Sequence, residues 1–330
     1  MPIRIAVIGT GHLGKIHTKL WKEVEGVVLV GVFDADTATA ETVAADNSVR
    51  AFANLEEAIA EVDAVSIVTP TVYHYQVALD LLSAGKHVFI EKPITTTIEE
   101  ATELIRIAAL KNLKIQVGHI ERFNPALLSI EKFISHPMFF ESHRLAQFKP
   151  RGTDVAVVLD LMIHDIDVIL SLAKSPVTSV DASGVAVVSD EIDIANARIK
   201  FASGAVANVT ASRISQNPMR KLRIFEKDAY LSVDFATKSS EVFHLVGADA
   251  ENAVSGLHFN LGEIERADKK LNIVYEKPSV GEFNPLKYEL ELFRDAILGN
   301  TQPIVSGVDG LAALEVAEMI MDSILQNSRV

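Results

Sequence analysis

The sequence predicts an α/β protein: an N-terminal doubly wound parallel sheet followed by an α+β domain built on an antiparallel sheet. Three observations predict it. A glycine-rich turn, Gly9-Thr10-Gly11-His12-Leu13-Gly14, directly follows an apolar β-branched run and opens a helical pattern. Short apolar runs alternate with helical patterns over about the first 120 residues, as a parallel sheet covered by helices on both faces requires. Beyond Arg122 that alternation gives way to runs of strands without intervening helices, which is the pattern of antiparallel pairing.

Taken in order, the parallel strands are Ile3 to Ile8, Val27 to Phe33, a short Val49 to Phe52, Ala64 to Val68, His87 to Ile90 and Lys114 to Val117. Their near-continuous apolar character marks strands buried on both faces. Helical faces between them read Leu13, Ile16, His17, Leu20; then His74, Val77, Ala78, Leu81, Leu82; then Ile98, Ala101, Ile105, Ala108. In the second half, helices are expected at Pro125 to Phe133 and Asp160 to Leu172. Strands are expected at Phe139 to Phe148, Val177 to Val188, Ile192 to Phe201, Ala205 to Ser212, Lys221 to Phe225 and Tyr230 to Phe235. Ser203-Gly204 suits a hairpin turn. The charged, weakly periodic segment from Gly247 to Ala267 is expected to be a loop or edge excursion. Helices Pro285 to Leu298 and Val308 to Leu325 close the chain.

Single cores stop growing near roughly 250 to 300 residues, so 330 residues imply two domains. They are placed at 1–121 for dinucleotide binding and 122–330 for substrate and oligomerisation, the closing helices being candidates to pack back on the first. A net charge of −13 and a pI near 5.2 argue against a nucleic-acid or anionic-membrane surface. The absence of cysteine removes disulfides, thiolate nucleophiles and the commonest structural zinc sites. The opening MPIRIAVIGTG lacks the apolar length and cleavage site of a signal peptide. No apolar stretch approaches the roughly 20 residues of a membrane span. A soluble, cytoplasmic protein is expected.

The glycine turn is a dinucleotide fingerprint in this strand–turn–helix context. Gly9 permits the tight turn, Gly11 lets the backbone approach a pyrophosphate, and Gly14 allows close helix–strand packing. Asp34, twenty residues beyond Gly14 at the end of the second strand, is placed to bond the adenosine ribose 2′-OH, favouring NAD over NADP; a helix-capping role is the alternative. Glu91-Lys92-Pro93 ends the fifth strand, where ligands of such sheets bind. The Lys92 ammonium there suits stabilisation of a developing alkoxide, unless it is a surface lysine before a turn. Asp160, His164 and Asp167 are spaced by four and three, on one helical face. His164 is the natural proton acceptor near neutral pH; a satisfied core histidine with a capping aspartate is the other reading, and no metal is expected. Thr69, Pro70 and His74 either line the nicotinamide side or form a turn and cap. Cofactor contacts are therefore expected from Gly9 through Gly14 (with Thr10, Gly11, His12 and Leu13), Asp34, Thr69, Pro70, His74, Glu91, Lys92 and Pro93. Substrate contacts are expected from Arg122 and Asn124 at the domain junction, from Asp167, and from Arg213. Arg213 belongs to a basic cluster with Arg220, Lys221 and Arg223, suited to a phosphate or carboxylate or merely solvated.

These motifs, in this order and over nearly the whole chain, resemble the glucose–fructose oxidoreductase / inositol dehydrogenase / MocA family. Ser306-Gly-Val-Asp-Gly310 leading into the last helix also matches. The resemblance implies a Rossmann domain and a second domain with a large open antiparallel sheet, often the interface of a homodimer or homotetramer. It implies Lys92, Asp160 and His164 as the catalytic trio, and a Lys-Pro bond that is commonly cis. The stretch Val117-Gly-His-Ile-Glu-Arg-Phe-Asn-Pro125 is similar to nucleotide-sugar 3-dehydrogenases of the UDP-N-acetylglucosamine type. The activity so implied is NAD-dependent oxidation of a secondary hydroxyl on a sugar or nucleotide sugar, with the basic cluster a candidate for the diphosphate. The rivals are an inositol or simple-sugar dehydrogenase and a non-catalytic dinucleotide-sensing regulator.

Overall fold

The computed structural model describes residues 2–149, 154–247, 258–266 and 269–327. The chain divides into two compact units, Met1–Ile120 with Asn284–Glu315, and Glu121–Phe283 with Val316–Val330.

The first unit holds a six-stranded parallel sheet in the order β3-β2-β1-β4-β5-β6. Its strands are β1 Ile3–Ile8, β2 Val27–Phe33, β3 Arg50–Ala51, β4 Ala64–Ile67, β5 His87–Glu91 and β6 Ile115–Gly118. The strand order reverses between β1 and β4, the switch point at which sheets of this kind open a crevice for ligands. Register aligns Ile8 with Phe33 and with Ile67, Ile67 with Ile90, and Glu91 with Gly118. The residues that follow, Gly9, Asp34, Val68 and Lys92, therefore leave the sheet along one edge.

Helix α1 (His12–Trp21) differs from its expected face. Leu13 and Ile16 are exposed, whereas Gly14, His17, Thr18, Leu20 and Trp21 are buried. Trp21 is the reason, because its indole is the largest apolar body on the helix and claims the core. Its Nε1 donates to Ser66 Oγ at 2.8 Å, and its ring meets Phe293 edge-on at 6.4 Å. Phe293 belongs to a later helix, Pro285–Leu298, which buries Leu286, Leu290 and Phe293 in this same core. The backbone of β6 is also joined by the segment before the last helix, Val117 N–H donating to Val305 O at 3.0 Å. Between β1 and β6 lie α2 (Thr37–Asn47), α3 (Leu55–Glu61), α4 (His74–Ser83) and α5 (Ile98–Lys111). Helix α5 starts with a capping box formed by Thr97 and Glu100.

The second unit is built on a nine-stranded sheet, β14-β15-β13-β12-β11-β7-β10-β9-β8. The strands are β7 Phe139–Leu145, β8 Val177–Val185, β9 Ile194–Phe201, β10 Val206–Ser212, β11 Met219–Phe225, β12 Ala229–Asp234, β13 Ser239–Gly247, β14 His258–Arg266 and β15 Lys269–Glu276. All neighbours pair antiparallel except β7 and β10, which run parallel. Three of these strands, β13 to β15, are not expected as strands from sequence. The segment read as a loop or edge excursion from Gly247 supplies the edge strand β14 over 258–266; residues 248–257 and 267 of it lie outside the described residues. Strand β14 is exposed along almost its whole length, and its Phe259–Leu261 alternation is cut short by an irregularity between Asn260 and Gly262.

One sheet face is buried by alternate residues such as Ala195, Ala197 and Ile199, or Leu222 and Ile224. The other carries a cross-strand row of rings, Phe139–Phe225–Tyr230–Phe243–Tyr275, with successive centroids 5.9, 5.0, 5.6 and 4.8 Å apart. Such cross-strand aromatic pairs each add roughly 0.2–1 kcal/mol to a sheet. The helices of this unit include α6 (Pro125–Ile130) and α7 (Ile163–Ala173). The segment expected as one helix from Asp160 is instead a π turn, Val158–Met162, that runs into α7. Among the described residues, the remaining α-helices are α8 (Pro285–Leu298) and α9 (Gly307–Asn327). Among the described residues, no helix is long and apolar enough to cross a membrane.

Candidate active site

In the first unit the glycine turn is shaped by contacts that exclude side chains. Gly9 has φ +92°, and a Cβ there would lie 2.6 Å from Val68 O. A Cβ on Gly14 would lie 1.9 Å from Gly9 O, so helix and turn touch backbone to backbone. Gly11 is different: a Cβ there meets nothing within 4 Å. It is the N-cap of α1 and offers no side-chain cap to the first-turn N–H groups. An open glycine beside an uncapped helix start fits a pyrophosphate, which the N–H groups and the helix dipole would hold.

Asp34 stands beside this turn at the end of β2. Its Oδ2 accepts from Thr10 N–H at 2.6 Å and Thr10 Oγ1 at 2.9 Å, while Oδ1 accepts from Asp36 N–H at 3.0 Å. Thr10 is fully buried and ties the carboxylate in place from both its N–H and its hydroxyl. The helix-capping alternative for Asp34 falls to its neighbour, since Asp36 caps α2. A half-buried carboxylate so held suits a ribose 2′-hydroxyl and repels a 2′-phosphate. Asp34→Ala is expected to weaken NAD binding by about tenfold or more, the loss of a charge-assisted hydrogen bond of roughly 1.5–3 kcal/mol. NADP affinity should fall less or rise. Equal losses for both dinucleotides in a fluorescence titration would remove Asp34 from the ribose.

Two expected cofactor contacts turn inward. His74 is 1% exposed, and its ring nitrogens face Pro93 O and Thr69 O, each at 2.9 Å. It joins the segments after β4 and β5, and burial lowers its pKa against the pull of these carbonyls. Glu91 accepts from His17 Nε2 at 3.0 Å, and its carboxyl group packs where Gly118 leaves no Cβ, 2.8 Å from that position. Glu91 is thus a brace between α1, β5 and β6. Sequence alone does not single out His17 as part of this brace, although an imidazole in an otherwise apolar helix face is a signal. Lys92 and Pro93 follow at half-buried positions across a cis peptide bond.

In the second unit, Asp160 sits inside the π turn and His164 in the first turn of α7; both are half-buried. π turns occur frequently at functional sites. Asp167, expected on their face as a substrate contact, is 1% exposed and holds Arg122, which donates from Nε at 2.8 Å and Nη2 at 2.9 Å. Those two expected substrate residues therefore satisfy each other. Asn124 caps α6 through Ala126 N–H at 3.1 Å and donates to Glu121 Oε2 at 3.0 Å and Phe235 O at 3.2 Å, a structural role. Arg213 is buried, donates to Val155 O and lies 3.8 Å from Asp193. Lys221 and Arg223 share the ring-bearing sheet face and pair with Asp234 at 3.5 Å and Glu141 at 3.1 Å, while exposed Arg220 alternates to the opposite face. The basic cluster read from sequence is dispersed.

Comparison with known proteins gives the arrangement its chemistry. Residues 3–119 match the family model described as an oxidoreductase family with an NAD-binding Rossmann fold, and residues 133–232 match the GFO/IDH/MocA C-terminal domain. The chain is 38% identical over 316 residues to UDP-N-acetylglucosamine 3-dehydrogenase of Acidithiobacillus ferrooxidans, covering 96% of this chain and 95% of that one. A solved structure of that enzyme superposes with a TM-score of 0.87 at 36% identity over 98% of both chains. Inositol 2-dehydrogenase of Rhizobium meliloti is 27% identical, covering 100% of this chain and 99% of its own. With the glycine turn and Asp34, these findings identify NAD as the cofactor and a dehydrogenase acting on CH–OH groups as the activity. The chain belongs to the Gfo/Idh/MocA oxidoreductase family.

Proposed function

We propose that this dehydrogenase oxidises the 3-hydroxyl of a UDP-N-acetylhexosamine to a 3-keto sugar. The observation that carries the reading is the 38% identity, sustained over 96% of the chain, to an enzyme named for that reaction. The full-length inositol dehydrogenase relative, at 27%, supports the rival reading of a free polyol.

Bound NAD⁺ supplies the hydride acceptor. The reading assigns the proton chemistry to Lys92, Asp160 and His164. The His164 imidazole, a base near neutral pH, removes the hydroxyl proton. The Lys92 ammonium donates a hydrogen bond to the same oxygen and stabilises the negative charge that grows on it as hydride departs. The Asp160 carboxylate shares the hydroxyl and assists the transfer. With Arg213, Lys221 and Arg223 engaged elsewhere, the sugar diphosphate is not assigned to them.

The test is nicotinamide reduction with UDP-N-acetylglucosamine, UDP-N-acetylgalactosamine, UDP-glucose and free inositols, the product's keto carbon being located by NMR. Turnover of an N-acetylated UDP sugar with a C3 ketone is expected; turnover of free polyols alone would overturn the reading. We also propose a cytoplasmic homodimer or homotetramer that covers the ring-bearing sheet face, to be measured by light scattering.

A further inference from the structure

Helix α7 is held by two ion pairs of unusual burial. Asp165 is 2% exposed and accepts from Arg144 Nε at 2.6 Å and Nη2 at 3.3 Å, and from Ser142 Oγ at 2.8 Å. Asp167, 1% exposed, accepts two bonds from Arg122. At 3.6 residues per turn, positions 165 and 167 project about 200° apart, so the two guanidinium groups grip nearly opposite sides of the helix. Position 164 lies in the arc between them, about 60° from Asp167 and 100° from Asp165.

The two grips share an anchor. Arg144, on β7 in the middle of the sheet, also donates to Glu121 Oε1 at 2.9 Å, and Glu121 immediately precedes Arg122. Asn124 closes the group by donating to Glu121 Oε2 at 3.0 Å. Sheet, the 3-10 turn Ile120–Phe123 and helix are thereby tied at one place. Stability alone does not call for such groups, because well-packed apolar side chains often serve a core equally well or better. What ion pairs of fixed geometry add is orientation: rolling α7 breaks one pair or the other. The need for it is local. Helix α7 follows a π turn and has no side-chain cap at its start, so the two grips act where no capping side chain holds the helix.

We infer that Arg122 and Arg144 are positioning residues that fix the roll of α7 through Asp167 and Asp165 and so aim His164 at the substrate hydroxyl. The inference rests on His164 being the base proposed above. Proton transfer and hydride departure depend on sub-ångström alignment, and a displacement of about 1 Å costs up to about a hundredfold in rate.

The experiment is a double-mutant cycle on Arg122→Gln and Asp167→Asn, with Asp165→Asn and His164→Ala measured in parallel. Thermal midpoint and NADH binding report whether each variant is folded, and kinetics are normalised to the folded fraction. Each clamp variant is expected to lose about tenfold or more in kcat with KM within about twofold, and the double variant to be no worse than the poorer single. Arg122→Lys, which retains the charge but not the bidentate fork, should recover part of the rate. Raised KM with unchanged kcat would make Arg122 and Asp167 substrate contacts and overturn the inference, as would a lowered thermal midpoint with unchanged kcat. If Arg122→Gln does not fold, Asp167→Asn and Asp165→Asn, nearly isosteric with the wild type, read the same two grips. Full turnover by His164→Ala overturns the base assignment and the inference with it. Loss of turnover there with unaffected clamp variants overturns the inference alone.

Discussion

Replacing Lys92 with alanine is expected to lower kcat by about a hundredfold or more while NADH still binds. Lys92 follows β5 directly, on the edge of the sheet shared by Gly9 and Asp34, and is half-buried. A cation at such a position adds little to the ground state of a neutral alcohol. It adds much once the oxygen carries charge, because partial burial strengthens the interaction just where charge appears. The variant should therefore lose turnover far more than substrate affinity. Dinucleotide affinity should persist, since the glycine turn and Asp34 are untouched. Stopped-flow turnover and a parallel NADH titration separate the two. Unchanged turnover would sink the proposed mechanism, and joint loss of turnover and NADH binding would move Lys92 from the chemistry to the cofactor.

Gly14→Ala is the second large effect. Its Cβ would stand 1.9 Å from Gly9 O, a distance no pair of non-bonded atoms tolerates, and Gly9 has little room to retreat because it packs closely on the Val68 backbone. The turn must open or α1 must lift from the sheet, where Trp21 is locked by Ser66 of β4. We expect NAD affinity to fall by about a hundredfold or more and the thermal midpoint to drop by about 5 °C or more, as a few kcal/mol of strain implies. Gly11→Ala makes the contrast. Its Cβ meets nothing within 4 Å, so the fold should be kept while the pyrophosphate is crowded. Calorimetry on the three proteins reads both quantities; wild-type NAD affinity in Gly14→Ala would show that this turn is not the cradle.

The parallel sheet was legible because strands buried on both faces announce themselves as short β-branched runs, and β1 and β2 begin and end at the residues expected. The glycine turn was legible because a backbone conformation open chiefly to glycine needs glycine written at that position. Strands β13 to β15 were not. β14 is solvated on both faces, and β15 hides Asn272 and Glu276 beside Val274, so polarity and burial part company there. The return of Leu286, Leu290 and Phe293 to the first core was equally silent about its destination, since an apolar stripe names no partner.

The polar residues divide along the same line. Sequence alone determined which residue types stand where: a carboxylate after β2, an ammonium after β5, an imidazole near the start of α7. It also determined the family, because those types recur in one order. Only the tertiary structure decided which of them are engaged by protein partners. Thr10, His74, Glu91, Asn124, Asp167 and Arg213 were all candidates by type, yet each is buried or nearly so, with polar atoms on protein partners. Asn124 and Phe235 are 111 residues apart, Arg122 and Asp167 45. The physical reason is that a buried polar group must find a partner or cost several kcal/mol, and which groups are buried depends on packing between segments that sequence spacing does not bring together.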